Sequence, residues 1–166
     1  TVKSSKVACF ADDTKVIKQV GKVQDTVGLQ NDIENITSWA TNNGLKFNET
    51  KCKCQRITRK KTPIEYSYSI DGQVVSSVNQ EKDLGVWVSN DLTWKKQVAE
   101  QSSKANKCLG FIRRSSREIK NPTTRRSLYL AIVRPHLGYA TQIWAPQTIE
   151  LIKQVERVQR RATKFI

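Results

Sequence analysis

Two adjacent aspartates interrupt an apolar stretch near the start of the chain. Residues 5–11 and 14–18 each have the composition of a short strand, and Asp12 and Asp13 lie between them. This pattern predicts a hairpin with both carboxylates at its turn. Neighbouring carboxylates repel each other, and a divalent cation such as Mg²⁺, which prefers hard oxygen ligands, would offset that repulsion. The alternative is a plain surface turn, because Asp is a favoured turn residue.

Positive charge is concentrated in the second half of the sequence. The 166-residue chain has 29 Lys and Arg against 15 Asp and Glu, a net charge of +14. Residues 1–83 contribute +3 (13 basic against 10 acidic), and residues 84–166 contribute +11 (16 against 5). An excess of that size in one half goes beyond what solubility needs, so we expect a polyanionic partner, nucleic acid in particular.

Cysteine and histidine do not form a recognisable zinc pattern. Cys52 and Cys54 are separated by one residue, which is closer than zinc ligands usually are, and His136 is the only histidine. We therefore expect reduced cysteines in an intracellular protein. No apolar run of about 18 residues predicts a membrane helix, and no signal peptide is visible. Because the sequence lacks Met and begins close to a predicted strand, we expect it to be part of a longer protein.

Hydrophobic periodicity divides the chain into an α+β part and an all-α part. A helical pattern over residues 22–43 ends at Gly44, and Asp25, Asp32 and Glu34 on that helix are expected to face solvent. Asp71-Gly72 predicts a tight hairpin turn. Short strands are predicted at 45–47, 52–58, 66–70, 73–78 and 84–88.

Beyond Trp94 the apolar residues recur with helical spacing. The pattern predicts helices over 95–119, 121–135 and 148–166. We therefore expect an α+β domain over residues 1–90 and a helical domain over residues 91–166.

Four blocks in the sequence resemble reverse transcriptases of non-LTR retrotransposons. The first is Phe10-Ala11-Asp12-Asp13, similar to the family's aromatic-x-Asp-Asp signature. The second, over 39–53, is a Trp at a helix end followed by Gly-Leu-Lys-apolar-Asn and a Lys. The third, Lys-Asp-Leu-Gly-Val at 82–86 with Leu-Thr-Trp at 92–94, resembles the primer-grip strand. The fourth combines Arg-Pro-His-Leu-x-Tyr at 134–139, Trp-x-Pro at 144–146 and Val-Gln-Arg-Arg-Ala-Thr at 158–163.

The resemblance implies the C-terminal part of a polymerase palm followed by a thumb-like helical region. Asp12 and Asp13 would be catalytic ligands for Mg²⁺ in two-metal nucleotidyl transfer. Lys51 would approach the triphosphate of the incoming nucleotide and protonate the pyrophosphate leaving group; the alternative is an exposed strand lysine. Gly85 would let the backbone approach the primer strand closely. Two positions depart from the family pattern, with Asp83 in place of an aromatic residue and Gln97 near the place of a His.

Basic residues between positions 104 and 126 are expected to contact a template–primer duplex through its phosphates, without reading its sequence. Helical spacing places several of them on one face. They are Lys104, Lys107, Arg113, Arg114, Arg117, Arg125 and Arg126.

These observations predict a fragment of an RNA-directed DNA polymerase. Its partners would be an RNA template, a DNA primer and deoxynucleoside triphosphates, without a membrane. The expected location is intracellular, and family analogy allows the nucleus. The fragment is expected to be inactive alone, because the fingers and a third carboxylate, expected upstream of Thr1, are missing. The alternative is a non-catalytic basic nucleic-acid-binding protein derived from a decayed element.

Overall fold

The computed structural model describes residues 2–166, which form two compact units divided between Asn79 and Gln80. The described part of the first unit contains one long helix and three strand pairs, and the second contains one strand pair and several helices. Three of the four pairs are antiparallel and one is parallel. The fold is therefore mixed α+β, as the sequence predicts. Among the described residues, no helix is both long enough and apolar enough to cross a membrane.

The first unit opens with the predicted hairpin. Strand β1 (Lys6–Phe10) pairs antiparallel with β2 (Asp13–Ile17), and Phe10 lies opposite Asp13. Ala11 and Asp12 therefore form a two-residue turn. Ala11 has a φ of 52°, in the left-handed region that a residue with a Cβ seldom adopts, so the turn is strained just before the two acids.

Helix α1 (Val23–Asn42) has a defined start and a defined end. At the start, the Asp25 carboxylate accepts hydrogen bonds from the backbone N–H groups of Lys22 and Gly21, both at 2.8 Å, and these bonds lower the pKa of Asp25. At the end, Gly44 adopts a φ of 70° and the Leu45 N–H donates to the Ala40 carbonyl at 2.9 Å. The predicted strand over 45–47 is wrong, because Leu45 closes the helix.

The other strands of the first unit are shorter than the sequence predicts. The strand that contains Ser69 is hydrogen-bonded to α1. The side-chain amide of Gln30 donates to the Ser69 carbonyl and accepts from the Ser69 N–H, each at 3.0 Å. The predicted turn at Asp71-Gly72 is confirmed, with φ values of 48° and 78°. The strands are β3 (Lys53–Gln55), β4 (Ser69–Ile70), β5 (Gln73–Val74) and β6 (Ser76–Val78). β3 pairs parallel with β6, and β4 pairs antiparallel with β5.

The second unit begins with a hairpin and continues as helices. The hairpin consists of β7 (Gln80–Asp83) and β8 (Val86–Ser89). Val86 packs in one apolar cluster with Val98 of helix α2, so this hairpin belongs with the helices, although the predicted boundary after residue 90 placed it in the first part. The helices are α2 (Lys95–Ser115), α3 (Pro122–Leu128), α4 (Arg134–Gly138), α5 (Thr141–Trp144) and α6 (Ile149–Thr163).

The predicted end of a helix at Pro135 is wrong. A π-helical turn over Tyr129–Val133 follows α3 and leads into α4, which begins at Arg134. Pro135 thus lies inside a continuous helical run and has no N–H to donate to the preceding turn. The π-helical turn, in which the Arg134 N–H donates to the Tyr129 carbonyl, directly precedes it. The chain therefore continues in helical form through the proline.

Helix α2 provides the surface on which this unit packs. Its apolar stripe meets α4, the π-helical turn and α6 in a cluster formed by Ala105, Leu109, Ile112, Val133, Leu137, Val158 and Ala162. A second apolar cluster contains Val86, Val98, Trp144 and Leu151. Gln97, which is fully buried, accepts a hydrogen bond from the Trp87 N–H at 2.9 Å and so connects α2 to β8.

Candidate functional site

The two carboxylates of the first hairpin are exposed. Asp12 occupies the second turn position, and Asp13 is the first residue of β2. The neighbouring Phe10 side chain is 64 % exposed, so this end of the hairpin is open to solvent. Carboxylate oxygens in this position can bind a hard cation. Among residues 2–166, no group of three His, Cys, Asp or Glu side chains lies close enough to hold a metal ion, so the described chain offers this pair as a partial ligand set.

A buried carboxylate anchors the segment that leads into the hairpin. Asp32 of α1 is only 2 % exposed, which corrects the expectation that it faces solvent. It accepts hydrogen bonds from the Lys3 N–H at 2.8 Å, the Ser4 N–H at 3.1 Å, and the Ser4 and Ser5 hydroxyls, both at 2.7 Å. Burial favours a higher pKa for Asp32, but these bonds outweigh it and hold the pKa well below its usual range.

A second contact joins the end of the hairpin to Ser4, which is itself hydrogen-bonded to α1. The Lys18 ammonium donates to the Ser4 hydroxyl at 2.7 Å. It lies over Gly28 of α1, where a Cβ would overlap the Lys18 Nζ atom. Glycine costs stability in a helix interior, but here it makes room for the cation. Both ends of the β1–β2 hairpin are therefore fixed to α1.

Lys51 forms no direct bond to the two carboxylates in the described part of the chain. It occupies a turn in which its N–H donates to the Asn48 carbonyl at 3.0 Å, and its side chain is exposed. No hydrogen bond or ion pair joins Lys51 to Asp12 or Asp13 among residues 2–166. Its predicted role at a triphosphate stays a prediction.

Gly85 has a structural explanation of its own. It lies in the turn between β7 and β8, with a φ of 87°, and not within a strand as the sequence predicts. The Tyr139 hydroxyl donates to the Leu84 carbonyl at 2.7 Å, and a Cβ on Gly85 would stand 3.3 Å from the Tyr139 ring. The turn conformation and the packed ring both favour glycine here.

Basic side chains of the second unit meet in two concavities beside α2. The first, the α2–α6 groove, has a volume of about 520 Å³ and is lined by residues that include Ser102, Asn106, Lys107, Gln154, Arg157 and Arg161. Its described lining contains no acidic residue. Arg161 is held in place by a hydrogen bond from its Nη1 atom to Asn106 Oδ1 at 3.1 Å.

The second concavity, the arginine recess, lies further along α2. It is lined by Gly110, Arg113, Arg114 and Arg117 and has a volume of about 270 Å³. A Cβ on Gly110 would stand 3.4 Å from Arg114 Nη1, so the glycine leaves space for the guanidinium group. Four of the seven basic residues that the sequence predicts therefore line one of the two concavities: three line the arginine recess, and Lys107 lines the α2–α6 groove.

The other three predicted residues lie elsewhere. Arg125 is used internally: its Nε donates to the Ile119 carbonyl at 2.6 Å, its Nη1 donates to the Phe165 carbonyl at 3.0 Å, and its guanidinium stands 5.1 Å from the Phe165 ring centre. Lys104 and Arg126 are exposed outside the lining of both concavities. These contacts hold Arg125 against Ile119 and Phe165, and its predicted phosphate contact stays a prediction.

Arg157 and Arg161 were not among the predicted contact residues, although both line the α2–α6 groove. The sequence does indicate that Arg157 and Arg161 lie on the same side of α6, because they are one helical turn apart. Arg157 precedes Val158 of the apolar stripe of α6, and Arg161 follows Val158 by three residues. The pairing of α6 with α2, which brings them beside Lys107, is a tertiary contact that spacing alone does not indicate.

The comparisons with known proteins identified no matching family model, no similar curated protein and no similar solved structure.

Acid should loosen the first hairpin through Asp32. A carboxylate whose pKa is lowered by folding adds stability that is fully present above about pH 4 and is lost as the pH falls through the lowered value. At neutral pH, Asp32→Asn should lower the free energy of unfolding of the first unit by about 1–3 kcal/mol, since buried N–H and O–H donors lose their charged acceptor. Hydrogen exchange of the β1 and β2 amides measures this effect.

Glu34→Gln is the matched control, because Glu34 is exposed on the same helix and a glutamine keeps the oxygen that accepts from Gln30. Its hairpin amides should exchange as in the unmodified chain. Equal exchange rates in Asp32→Asn and the unmodified chain would contradict the anchoring role.

Proposed function

We propose that this chain is the C-terminal part of a reverse transcriptase domain of non-LTR retrotransposon type. In this proposal the helical unit holds a template–primer duplex by its phosphates, and the first hairpin presents Asp12 and Asp13 to catalytic Mg²⁺. The four ordered sequence blocks support the family. The geometry of the basic surface supports the duplex-binding role most directly.

The observation that carries the proposal is the adjacency of the α2–α6 groove and the arginine recess. Both lie beside α2, and together they contain Lys107, Arg113, Arg114 and Arg117 from α2 and the turn after it, and Arg157 and Arg161 from α6. Residues 80–166 hold 17 Lys and Arg against 7 Asp and Glu, so few acids are present to neutralise these cations. A row of cations on a helical surface suits the regularly spaced phosphates of a duplex.

The hairpin carboxylates fit a metal site in chemistry and in access. Asp12 and Asp13 are exposed hard-oxygen ligands on a hairpin that is fixed to α1 through Ser4 and Lys18. When bound, Mg²⁺ would stabilise the charge on the attacking and leaving oxygens of nucleotidyl transfer. A third carboxylate would have to join the pair, and Lys51 would contact the incoming deoxynucleoside triphosphate.

The alternative is a non-catalytic nucleic-acid-binding protein. It would use the same basic surface, so duplex binding does not separate the two functions. Metal binding at the first hairpin separates the two functions, because the non-catalytic alternative places no cation there.

Duplex binding should depend steeply on salt. The affinity for an RNA–DNA duplex is expected to fall linearly on a log–log plot, with a slope of about −0.9 for each phosphate that a cation neutralises. The double variant Lys107→Gln and Arg114→Gln should flatten that slope by about two, since two phosphate contacts are lost. Fluorescence anisotropy across a salt series measures both slopes.

Lys60→Gln with Lys61→Gln is the control, because it removes the same charge from an exposed turn of the first unit. It should leave the slope nearly unchanged. A flat salt response of the unmodified chain, or equal flattening by both double variants, would contradict the proposed surface.

Metal binding is best tested with Mn²⁺ as a paramagnetic substitute for Mg²⁺. Amide resonances around the Ala11–Asp12 turn should broaden as Mn²⁺ is added, because the two carboxylates bind the ion. Asp12→Asn should abolish most of the broadening. Asp71→Asn should not, because Asp71 lies in the turn of the other hairpin of the first unit. Equal broadening at both turns would favour the non-catalytic alternative.

A further inference from the structure

A cysteine of α2 and the histidine of α4 form a close pair in the second unit. Cys108 Sγ lies 3.4 Å from His136 Nε2, and 28 residues separate the two in the sequence. Both side chains are half-buried, and Cys108 packs beside the apolar cluster that α2 forms with α4 and α6. A thiol and an imidazole within hydrogen-bond reach are the arrangement in which a base activates a sulfur nucleophile.

The other three cysteines lie in different surroundings. Cys9 is exposed on β1, where its Sγ atom lies 3.8 Å from a threonine hydroxyl. Cys52 and Cys54 are half-buried in the first unit, and burial raises the pKa of both thiols. In the described part of the chain, Cys108 is therefore the cysteine that is hydrogen-bonded to a base.

The segments that contain the pair carry positive charge. Residues 101–115 and 129–138 contain five Lys and Arg, four in the first segment and one in the second, and no Asp or Glu. The acid in the middle of α6 is paired with an arginine of the same helix at 3.1 Å. A positive environment favours the thiolate, which is the reactive form of cysteine.

We infer that Cys108 is a modification site that forms a mixed disulfide with a low-molecular-weight disulfide, with His136 as its proton acceptor. The imidazole, with its own proton on Nδ1, accepts the thiol proton at Nε2. The Cys108 sulfur then attacks one sulfur of the incoming disulfide, so a new S–S bond forms as the original S–S bond breaks. The departing thiolate takes the proton from His136 and leaves as a thiol.

The exchange is balanced without a further oxidant. Cys108 is oxidised, and the departing half of the incoming disulfide is reduced. The adduct replaces the contact between Cys108 and His136, so modification also removes one link between α2 and α4. The site does not rest on the proposed function, because thiol exchange requires neither nucleic acid nor a metal ion.

Oxidised glutathione, added to the full chain at pH 7, tests the site. Mass spectrometry of the cysteine-containing peptides measures the rate of modification at each thiol. Cys108 should react at least as fast as Cys9, although Cys9 is more exposed. His136→Gln should slow the reaction of Cys108 by at least about tenfold, because a positioned base is lost. The rate at Cys9 should stay unchanged in that variant.

Arg134→Gln is the matched control, because it removes an exposed charge from the same helix and keeps the imidazole. It should change the rate at Cys108 by less than about twofold, since exposed charges are screened by salt. Equal slowing by Arg134→Gln and His136→Gln would overturn the role of the imidazole.

Two further outcomes would overturn the inference. One is a slower reaction at Cys108 than at Cys9 in the unmodified chain. The other is an unchanged or faster reaction at Cys108 in both His136→Gln and His136→Asn. Loss of folding cannot imitate the expected result, because unfolding would expose the half-buried Cys108 thiol and speed its modification.

Discussion

The burial of one face of α2 determines the arrangement of the second unit. Ala105, Leu109 and Ile112 are almost fully buried against α6, α4 and the π-helical turn, so the polar side chains of α2 must leave the helix in other directions. Since α6 buries Val158 and Ala162 on the same cluster, Arg157 and Arg161 emerge beside Lys107. The clustering of positive charge is thus a consequence of apolar packing, because like charges would separate if packing did not hold them.

The first unit depends on a polar anchor in place of a large apolar core. Buried carboxylates are expensive unless they are fully hydrogen-bonded, and Asp32 meets that condition with four donors from residues 3–5. An isolated two-stranded hairpin is marginally stable, so this anchor and the Lys18–Ser4 contact fix the position of Asp12 and Asp13. Asp12 and Asp13 at the turn are exposed, whereas Asp32 on the helix is buried. Asp32 therefore has a structural role, and Asp12 and Asp13 remain accessible to a cation.

Local signals predicted much of this fold. The β1–β2 hairpin, the turn at Asp71-Gly72 and the end of α1 at Gly44 were confirmed, because each depends on residues adjacent in sequence. The predictions of a strand over 45–47 and of a helix end at Pro135 were wrong. Leu45 instead closes α1, and the chain continues from the π-helical turn into α4 through Pro135. The burial of Asp32 was missed because its partners lie about 28 residues away, and the bond from Arg125 to the Phe165 carbonyl spans 40 residues. The spacing of residues along one helix does not show which face of that helix is covered by a segment distant in sequence.

In the proposed function, the basic surface beside α2 binds the phosphates of a nucleic-acid duplex. A titration of the isotope-labelled chain with an RNA–DNA duplex, followed by the chemical shifts of its amides, tests this binding. The perturbed residues should cluster around Lys107 and Arg114 of α2 and around Arg157 and Arg161 of α6. Perturbations centred on the basic turn at 59–61, or spread evenly over all exposed lysines and arginines, would contradict it.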